Sequence, residues 1–486
     1  MNRLSQTGDL LARLNPARSS PLSNAGATAY SPNQVALLGA WVVAAWVFIS
    51  FSRFFDLIGA GYKIPGLVYY TMIAFILISG AIPRSLSNRM TIAIVVFTVW
   101  IGITLPFSTW RSNSLEFAGA AFQCLVTFVA ISGLTVTGRQ CLRMIYVLGG
   151  AVFVGACLSF FFGDMETGRL ELARGSFKDP NEYAMTLLMG LPLLALIARS
   201  SSPFLRIAGV GSVFITFYVF LKAGSRGGMI ALVVVGIVIF LGVSLSKKVM
   251  LLVTAVAALT IGFAILPSYL RERYVTFFSV DEAGPMSAEE KNLLRGADVT
   301  STESRVELLI DSLVLTAKHP LVGVGPGNFA VTRWSEAKDA GIRKGWNVSH
   351  NTYTQYSSEI GIPGVVLFLV FLYRVFRALR RVSKEGAERG HPELALAGYH
   401  LLLSFVGLCV AAFFLSIGYS PAFYVLGAIA LSLERVILQP VKAPLQQPAR
   451  VAMPSPAIPT VGLATPAPIG KKIMSGREVR ALMRKV

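Results

Sequence analysis

Charge is scarce in this chain. Of its 486 residues only 14% are Asp, Glu, Lys or Arg, against roughly a quarter in soluble domains. A surface that poor in charge excludes a set of water-soluble globular domains. Cysteine is scarcer still, and the four present, Cys124, Cys141, Cys157 and Cys409, all fall in or at the ends of apolar blocks. That placement excludes a disulfide framework and a cysteine zinc cluster, and no metal or other cofactor is expected. The polar residues before Asn33 lack the charged-then-apolar pattern of a cleaved leader, so the first apolar block is expected to act as an uncleaved anchor.

What the chain has in quantity is hydrophobic sequence, 54% of it. It comes in unbroken blocks, not at amphipathic spacing, and the blocks have the ~20-residue length a helix needs to cross ~30 Å of hydrocarbon. The expected fold class is all-α: a polytopic transmembrane helical bundle of about twelve spans. The spans fall near 34–51, 64–82, 90–106, 115–137, 141–162, 182–198, 204–221, 227–246, 249–267, 360–379, 394–416 and 420–438. A tail of residues 1–33 precedes this domain of 34–438, and a Pro-rich basic tail, 439–486, follows it.

The net charge is +19, and its distribution carries the information. With the N-terminus inside, the basic residues concentrate in inner segments: Arg84, Arg89, Arg139, Arg199, Lys247, Lys248, the run from Arg374 to Arg389, and the C-terminal tail. This is the positive-inside pattern. It puts both termini in the cytoplasm and makes a nucleic-acid partner unnecessary. The tail from Gln439 to Gly470, rich in Pro and Ala, cannot bury a core and is expected to stay extended. For Lys471 to Val486 two readings stand, a solvated disordered end or a short basic helix on anionic lipid.

Two outer loops are long enough to carry chemistry. One runs from Gly163 to about Asn181; the other, about 268–358, is expected to be a large extracytoplasmic loop containing short helices. Within it Thr302 to Lys318 reads as a helix, with Val306, Leu309, Ile310, Leu313 and Ala317 on one face and a capping box from Thr300 and Glu303. Such a helix should lie over the membrane surface.

The polar residues at the outer boundary form a short series. Gly224-Ser225-Arg226-Gly227-Gly228 opens span eight. Small residues there let backbones approach closely, and the planar fork of Arg226 suits a phosphate; the alternative is an interfacial arginine snorkelling to headgroups. Arg305 stands near the start of the loop helix, where an anion would also be favoured, or it is a solvated surface arginine. His319 to Phe329 ends that helix in a glycine-rich turn that lacks dinucleotide spacing and reads as a shaped loop. His350, in Ser349-His350-Asn351-Thr352-Tyr353, can take a proton near neutral pH, or it is a hydrogen-bonded loop histidine. Arg174, Lys178, Asn181 and Glu182 cluster where the first outer loop enters span six; there Pro180 in the first turn and Asp179 as N-cap also describe an ordinary helix entry.

Taken in order, these segments resemble the bacterial O-antigen ligase and polysaccharide polymerase superfamily. The matching stretches are Leu105-Pro106-Phe107-Ser108, Gly175 to Glu182, Ser225 to Gly228, Ser304-Arg305, His319 to Phe329, and His350 to Tyr353 with Glu359-Ile360-Gly361-Ile362-Pro363-Gly364. The resemblance covers roughly 34–438 and neither tail. It implies a metal-independent glycosyltransferase of the bacterial inner membrane. Its donor would be an undecaprenyl-diphosphate-linked glycan at the periplasmic face, and its acceptor a sugar hydroxyl on lipid A-core or a growing polysaccharide. It also implies that Arg226 and Arg305 hold the diphosphate and that His350 is the base, with Arg174 and Lys178 near the family's loop pattern less specifically. The competing classes are a twelve-span secondary transporter, which would show similar halves and a broken helix at the midplane, and a membrane subunit of polysaccharide export.

Overall fold

The computed structural model describes residues 34–57, 63–163, 169–170, 179–275, 305–342 and 344–439. Among these the chain is helical and contains no strand. Every apolar block becomes a helix: α1 (Gln34–Ser52), α2 (Ile64–Ile78), α3 (Arg89–Thr104), α4 (Arg111–Leu134), α5 (Gly138–Phe162), α6 (Pro180–Ile197), α7 (Pro203–Lys222), α8 (Arg226–Gly242), α9 (Leu245–Ile265), α10 (Thr352–Glu385), α11 (Pro392–Ala411) and α12 (Ala422–Leu438). Nine of them are long and apolar enough to cross a bilayer; α2, α8 and α12 are shorter. The protein is an integral membrane protein.

Where each helix starts follows from local chemistry. Asn88 accepts from the Met90 N–H at 2.8 Å to open α3, and Thr137 and Gln140 form a reciprocal capping box on α5. At the end of α4 the final carbonyls, which have no partner inside the helix, are taken by two arginines. Arg84 donates to the Gly133 oxygen at 2.5 Å, and Arg435 donates to the Ser132 and Thr135 oxygens at 2.6 and 2.8 Å. Basic side chains distant in sequence therefore gather at one end of the bundle.

The bundle is layered. In α6 and α11 72% and 67% of the spanning window is buried, whereas in α9 none is, so α6 and α11 form the centre and α9 the rim. Glycines permit the closest approaches. A Cβ on Gly190 of α6 would stand 2.4 Å from Val152 of α5, and one on Gly262 of α9 would stand 2.5 Å from Leu221 of α7.

Helix α10 departs from the reading of the sequence in two ways. Residues 352–358, assigned to the outer loop, are its first two turns, started by Asn351, whose side chain accepts from the Tyr353 and Thr354 N–H groups. At Ile360 (φ −128°) and Gly361 (φ 74°, ψ 177°) the helix then breaks and restarts through Pro363. Proline cannot donate the bond that would carry the helix across this point, and the backbone of Gly361 is one that side-chain-bearing residues avoid.

The loop between α9 and α10 contributes the short helix Ser268–Val275, a helix over 305–318, and Phe329–Asp339. In the 305–318 helix Leu308, Ser312 and Leu315 are buried, and the apolar face read from the sequence (Val306, Leu309, Ile310, Leu313 and Ala317) is exposed. The proposed cap residues Thr300 and Glu303 lie outside the described residues. Buried Arg333 joins the two loop helices, donating to Asp311 at 2.5 Å, Glu307 at 2.9 Å and the Gly345 carbonyl at 3.0 Å.

Candidate functional site

The glycine-rich turn is the clamp that fastens the α9–α10 loop to the bundle. Gly323, Gly325 and Gly327 all have positive φ, and a Cβ on any of them would meet a neighbour within 2.3 Å: the Glu359 backbone, Ser108 and Phe117 respectively. So close an approach lets the turn fill the break in α10. The Val324 and Gly325 N–H groups donate to the Ser358 and Glu359 carbonyls at 2.9 and 2.8 Å, and the Ile362 N–H donates to the Pro320 carbonyl at 2.8 Å. The indole of Trp100 takes the remaining Ile360 carbonyl at 2.9 Å. The Glu359 carboxyl accepts from the Gly327 N–H at 2.9 Å and from the Tyr419 hydroxyl at 3.0 Å. On the other side Asn328 donates to Ser108 at 2.7 Å and Ser114 donates to the Pro326 carbonyl at 2.8 Å. His319 only ends the 305–318 helix, its N–H on the Leu315 carbonyl, and is exposed.

A narrow pocket, without room for a water-sized sphere, is lined in part by Asn181, Ser225, Gly227, Gly228, Arg305 and Phe414. Two helices start on its lining and a third is bonded to it. α6 starts at Pro180, with Asp179 as N-cap accepting from the Asn181 N–H at 2.7 Å. α8 starts at Arg226, with the Ser225 hydroxyl accepting from the Gly228 N–H at 3.2 Å. α10 starts at Thr352, whose hydroxyl donates to the carbonyl of Leu415, another pocket residue, at 2.6 Å. Helix starts present N–H groups and the positive end of the peptide dipoles, which favours an anion. Gly227 has no room for a side chain, since a Cβ would stand 2.8 Å from Phe414.

His350 immediately precedes the cap of α10 and is held with φ 51°, a left-handed backbone that costs a non-glycine residue about 1–3 kcal/mol. The bonds on either side impose it. Ser349 pairs with Ser416 at 3.0 Å, and the Thr352 N–H donates to the Ala412 carbonyl at 2.8 Å. Burial lowers the pKa of the imidazole below its ordinary value, the Arg305 guanidinium lowers it further, and Asp179 opposes both. The ring therefore lies within electrostatic reach of both, and it is neutral at neutral pH, the state that accepts a proton.

Of the residues singled out in the sequence, Asn181 and Arg305 face one pocket. Arg226 sits half-buried between the pocket residues Ser225 and Gly227. Glu182 is in the first turn of α6 beside Asn181. Arg174 and Lys178 lie outside the described residues. Arg169 was missed: it donates to the Ala223 carbonyl at 3.1 Å and to Asn181 at 2.8 Å, and the Ser225 hydroxyl donates to the same Asn181 oxygen at 3.0 Å. Nothing in the sequence marks it, because one of its partners is a backbone carbonyl. Glu359 was read as part of a motif without its role as an anchor. Among the described residues no group of three or more His, Cys, Asp or Glu could hold a metal ion.

Residues 211–369 match the sequence profile of a family described as O-antigen ligase. This segment belongs to the O-antigen ligase family. The ligase-like segment runs from α7 into α10 and contains Arg226, Arg305, the glycine-rich clamp, His350 and the α10 break. An uncharacterized protein of Haemophilus influenzae is 26% identical over 171 residues, which cover 34% of this chain and 42% of the relative. The chain thus matches less than half of that relative's length. Asn181 and Arg169, which join α6 to the start of α8, precede the ligase-like segment in sequence but pack onto its pocket.

Proposed function

We propose that this protein transfers or polymerises a glycan carried on undecaprenyl diphosphate, at the periplasmic face of a bacterial inner membrane, onto the hydroxyl of an acceptor sugar. In this reading the twelve apolar helices all span, both termini are cytoplasmic, and the exposed apolar face of the 305–318 helix rests on the bilayer. The observation that supports it is the meeting of Arg305, Asn181 and the α8 start in one pocket, with the His350 imidazole outside its lining but near enough to Arg305 to feel its charge.

The chemistry needs little more. The acceptor oxygen forms a bond to the anomeric carbon as the bond from that carbon to the diphosphate oxygen breaks. The electron pair leaves with the diphosphate, and the hydroxyl proton passes to His350. Arg226, Arg305 and the helix starts balance the charge that builds on the leaving group, and the fixed backbone of His350 aligns the attack. One-step displacement predicts inversion at the anomeric carbon. No metal is needed in this scheme, because the two guanidinium groups serve where a cation would.

The transporter alternative expects a broken helix that lines a substrate path. The break in α10 is instead plugged by the glycine-rich turn, which favours the transferase. The test offers purified protein lipid-linked repeat units with and without a lipid A-core acceptor. Chain growth on the carrier indicates a polymerase and transfer to the core a ligase. Wild-type protein, well folded and given its host's own lipid-linked glycan, that makes neither product refutes the proposal.

A further inference from the structure

Three of the six tryptophans in the chain are gathered beside the clamp, where the catalytic scheme does not use them. Trp110 caps α4, Trp334 is on the helix Phe329–Asp339, and Trp346 is on the irregular segment that leads into His350. The Trp110 and Trp346 rings meet edge to face with centroids 6.3 Å apart, and Trp334 and Trp346 are 5.8 Å apart and tilted. All three are exposed, by 46%, 37% and 54%. Burial would be the usual fate of such large rings, which gain most from leaving water.

The surroundings argue for a wet surface. The ammonium of Lys338 lies over the Trp334 ring, 5.1 Å from its centroid, and Arg111 and Glu116 are exposed in the first turns of the helix that Trp110 caps. Charges so close would be costly in hydrocarbon. The platform is also rigid. Arg333 holds the Gly345 carbonyl at 3.0 Å, Lys344 holds Asp311 at 2.8 Å, and Thr109 bonds to Thr332 at 3.0 Å, so each tryptophan has a fixed neighbour in sequence. Exposed indole faces with polar groups at the rim match the alternating character of a sugar ring, whose C–H faces are apolar and whose edges carry hydroxyls.

The geometry points to a glycan-binding subsite formed by Trp110, Trp334 and Trp346. It holds sugar rings of the polysaccharide chain beyond the reacting unit by stacking their C–H faces on the indoles. The subsite rests on the glycan-transfer reading for its choice of ligand. Because Trp346 is only four residues before His350, at most about 14 Å along the backbone, a chain seated there can continue toward the proposed base.

The test uses full-length protein in nanodiscs and the polysaccharide released by mild acid from the host's own lipid-linked pool. The tryptophan emission that is lost in W334F/W346F is the signal of the platform. We expect the polysaccharide to shift that signal and protect it from acrylamide, and brominated acyl chains to leave it unquenched. W346A should weaken binding of long chains at least tenfold and of a single repeat unit little, with W346F restoring part of it. In turnover W346A should raise KM for long chains with kcat unchanged. Quenching by brominated lipid, or no response of wild-type protein to the polysaccharide, overturns the subsite. Binding without turnover would keep the subsite and sink the transferase; turnover without a tryptophan response would do the reverse.

Discussion

Glu359 should decide whether the α9–α10 loop stays docked. Its carboxyl is the acceptor for the Gly327 N–H at 2.9 Å and the Tyr419 hydroxyl at 3.0 Å, one on the clamp and one on the α11–α12 connection. Glu359→Ala removes the single oxygen, Oε2, that accepts both bonds. A donor left unsatisfied on burial costs roughly 1–3 kcal/mol. Gly327 and Tyr419 are half-buried, so the lower end applies, about 2 kcal/mol for the pair. The transmembrane core does not depend on these bonds, and the loss should appear as local opening of the clamp and leave the bundle folded. Hydrogen exchange of residues 319–329 in nanodiscs reads that opening directly. About 2 kcal/mol corresponds to an increase of roughly 30-fold in the open population, since 1.4 kcal/mol is tenfold. Glu359→Gln keeps one acceptor oxygen at the same reach, and its exchange should stay close to wild type. Equal exchange in the two variants, or no change in Glu359→Ala, would show that the carboxyl does not hold the loop.

His350→Asn should lower turnover by about 10²–10⁴, the usual worth of a general base, with unchanged protein levels. Turnover of the wild type should rise with pH through a titration below the ordinary histidine value of 6.5 and be flat at neutral pH. Arg305→Gln removes a cation that lowers the pKa and should move that limb to higher pH. Asp179→Asn removes an anion that raises it and should move the limb lower; limbs that stay in place would disconnect these residues from His350. Gly361→Ala should reduce thermal stability in detergent far more than Gly341→Ala. Both have φ above 70°, but a Cβ on Gly361 would stand 2.1 Å from the Leu321 carbonyl while Gly341 faces open space. Burial alone would raise the Asp311 carboxyl, but its bonds from Lys344 and Arg333 outweigh that and leave its pKa lowered. The stability it gives the loop is present above the unfolded carboxylate range and is lost as pH falls through the lowered folded value. Asp311→Asn should flatten that acid dependence of loop exchange.

What was legible in the sequence follows from which forces act locally. Apolar blocks of spanning length become helices because lipid leaves a backbone no other way to satisfy itself, and all of the blocks read out became helices. Starts marked by Asp179-Pro180, Ser225 and Asn351 are equally local, since each side chain bonds to an N–H two or three residues on. Partnerships across the chain were hidden. The stretch from Glu359 to Gly364 stood out as a motif, yet nothing near it indicates that the Glu359 carbonyl is taken by the Gly325 N–H, or that Trp100 supplies a donor from α3 to that of Ile360. The periodicity of 305–318 revealed its apolar face but could not tell that the protein packs on the opposite one, Leu308, Ser312 and Leu315. Arg169 looked like any loop arginine.

The scarcity of charge and the expected ligand are compatible for a physical reason. A diphosphate carries more negative charge than one arginine balances, and Arg305 is the one arginine among the residues that line the pocket. Oriented peptide groups make up part of the difference. The starts of α6 and α8 border the pocket directly, and that of α10 is bonded to its wall. Their N–H dipoles contribute fixed positive potential without the desolvation cost of another buried ion. Such dipoles cannot titrate or swing away, so the site keeps its field whatever the state of His350. The same arrangement explains the crowding at Gly227, where any side chain would push α8 away from Phe414. Gly227→Ala should therefore weaken donor binding with the charges of Arg226 and Arg305 intact. Unchanged donor affinity in that variant would mean that the position of the α8 start does not matter to the site.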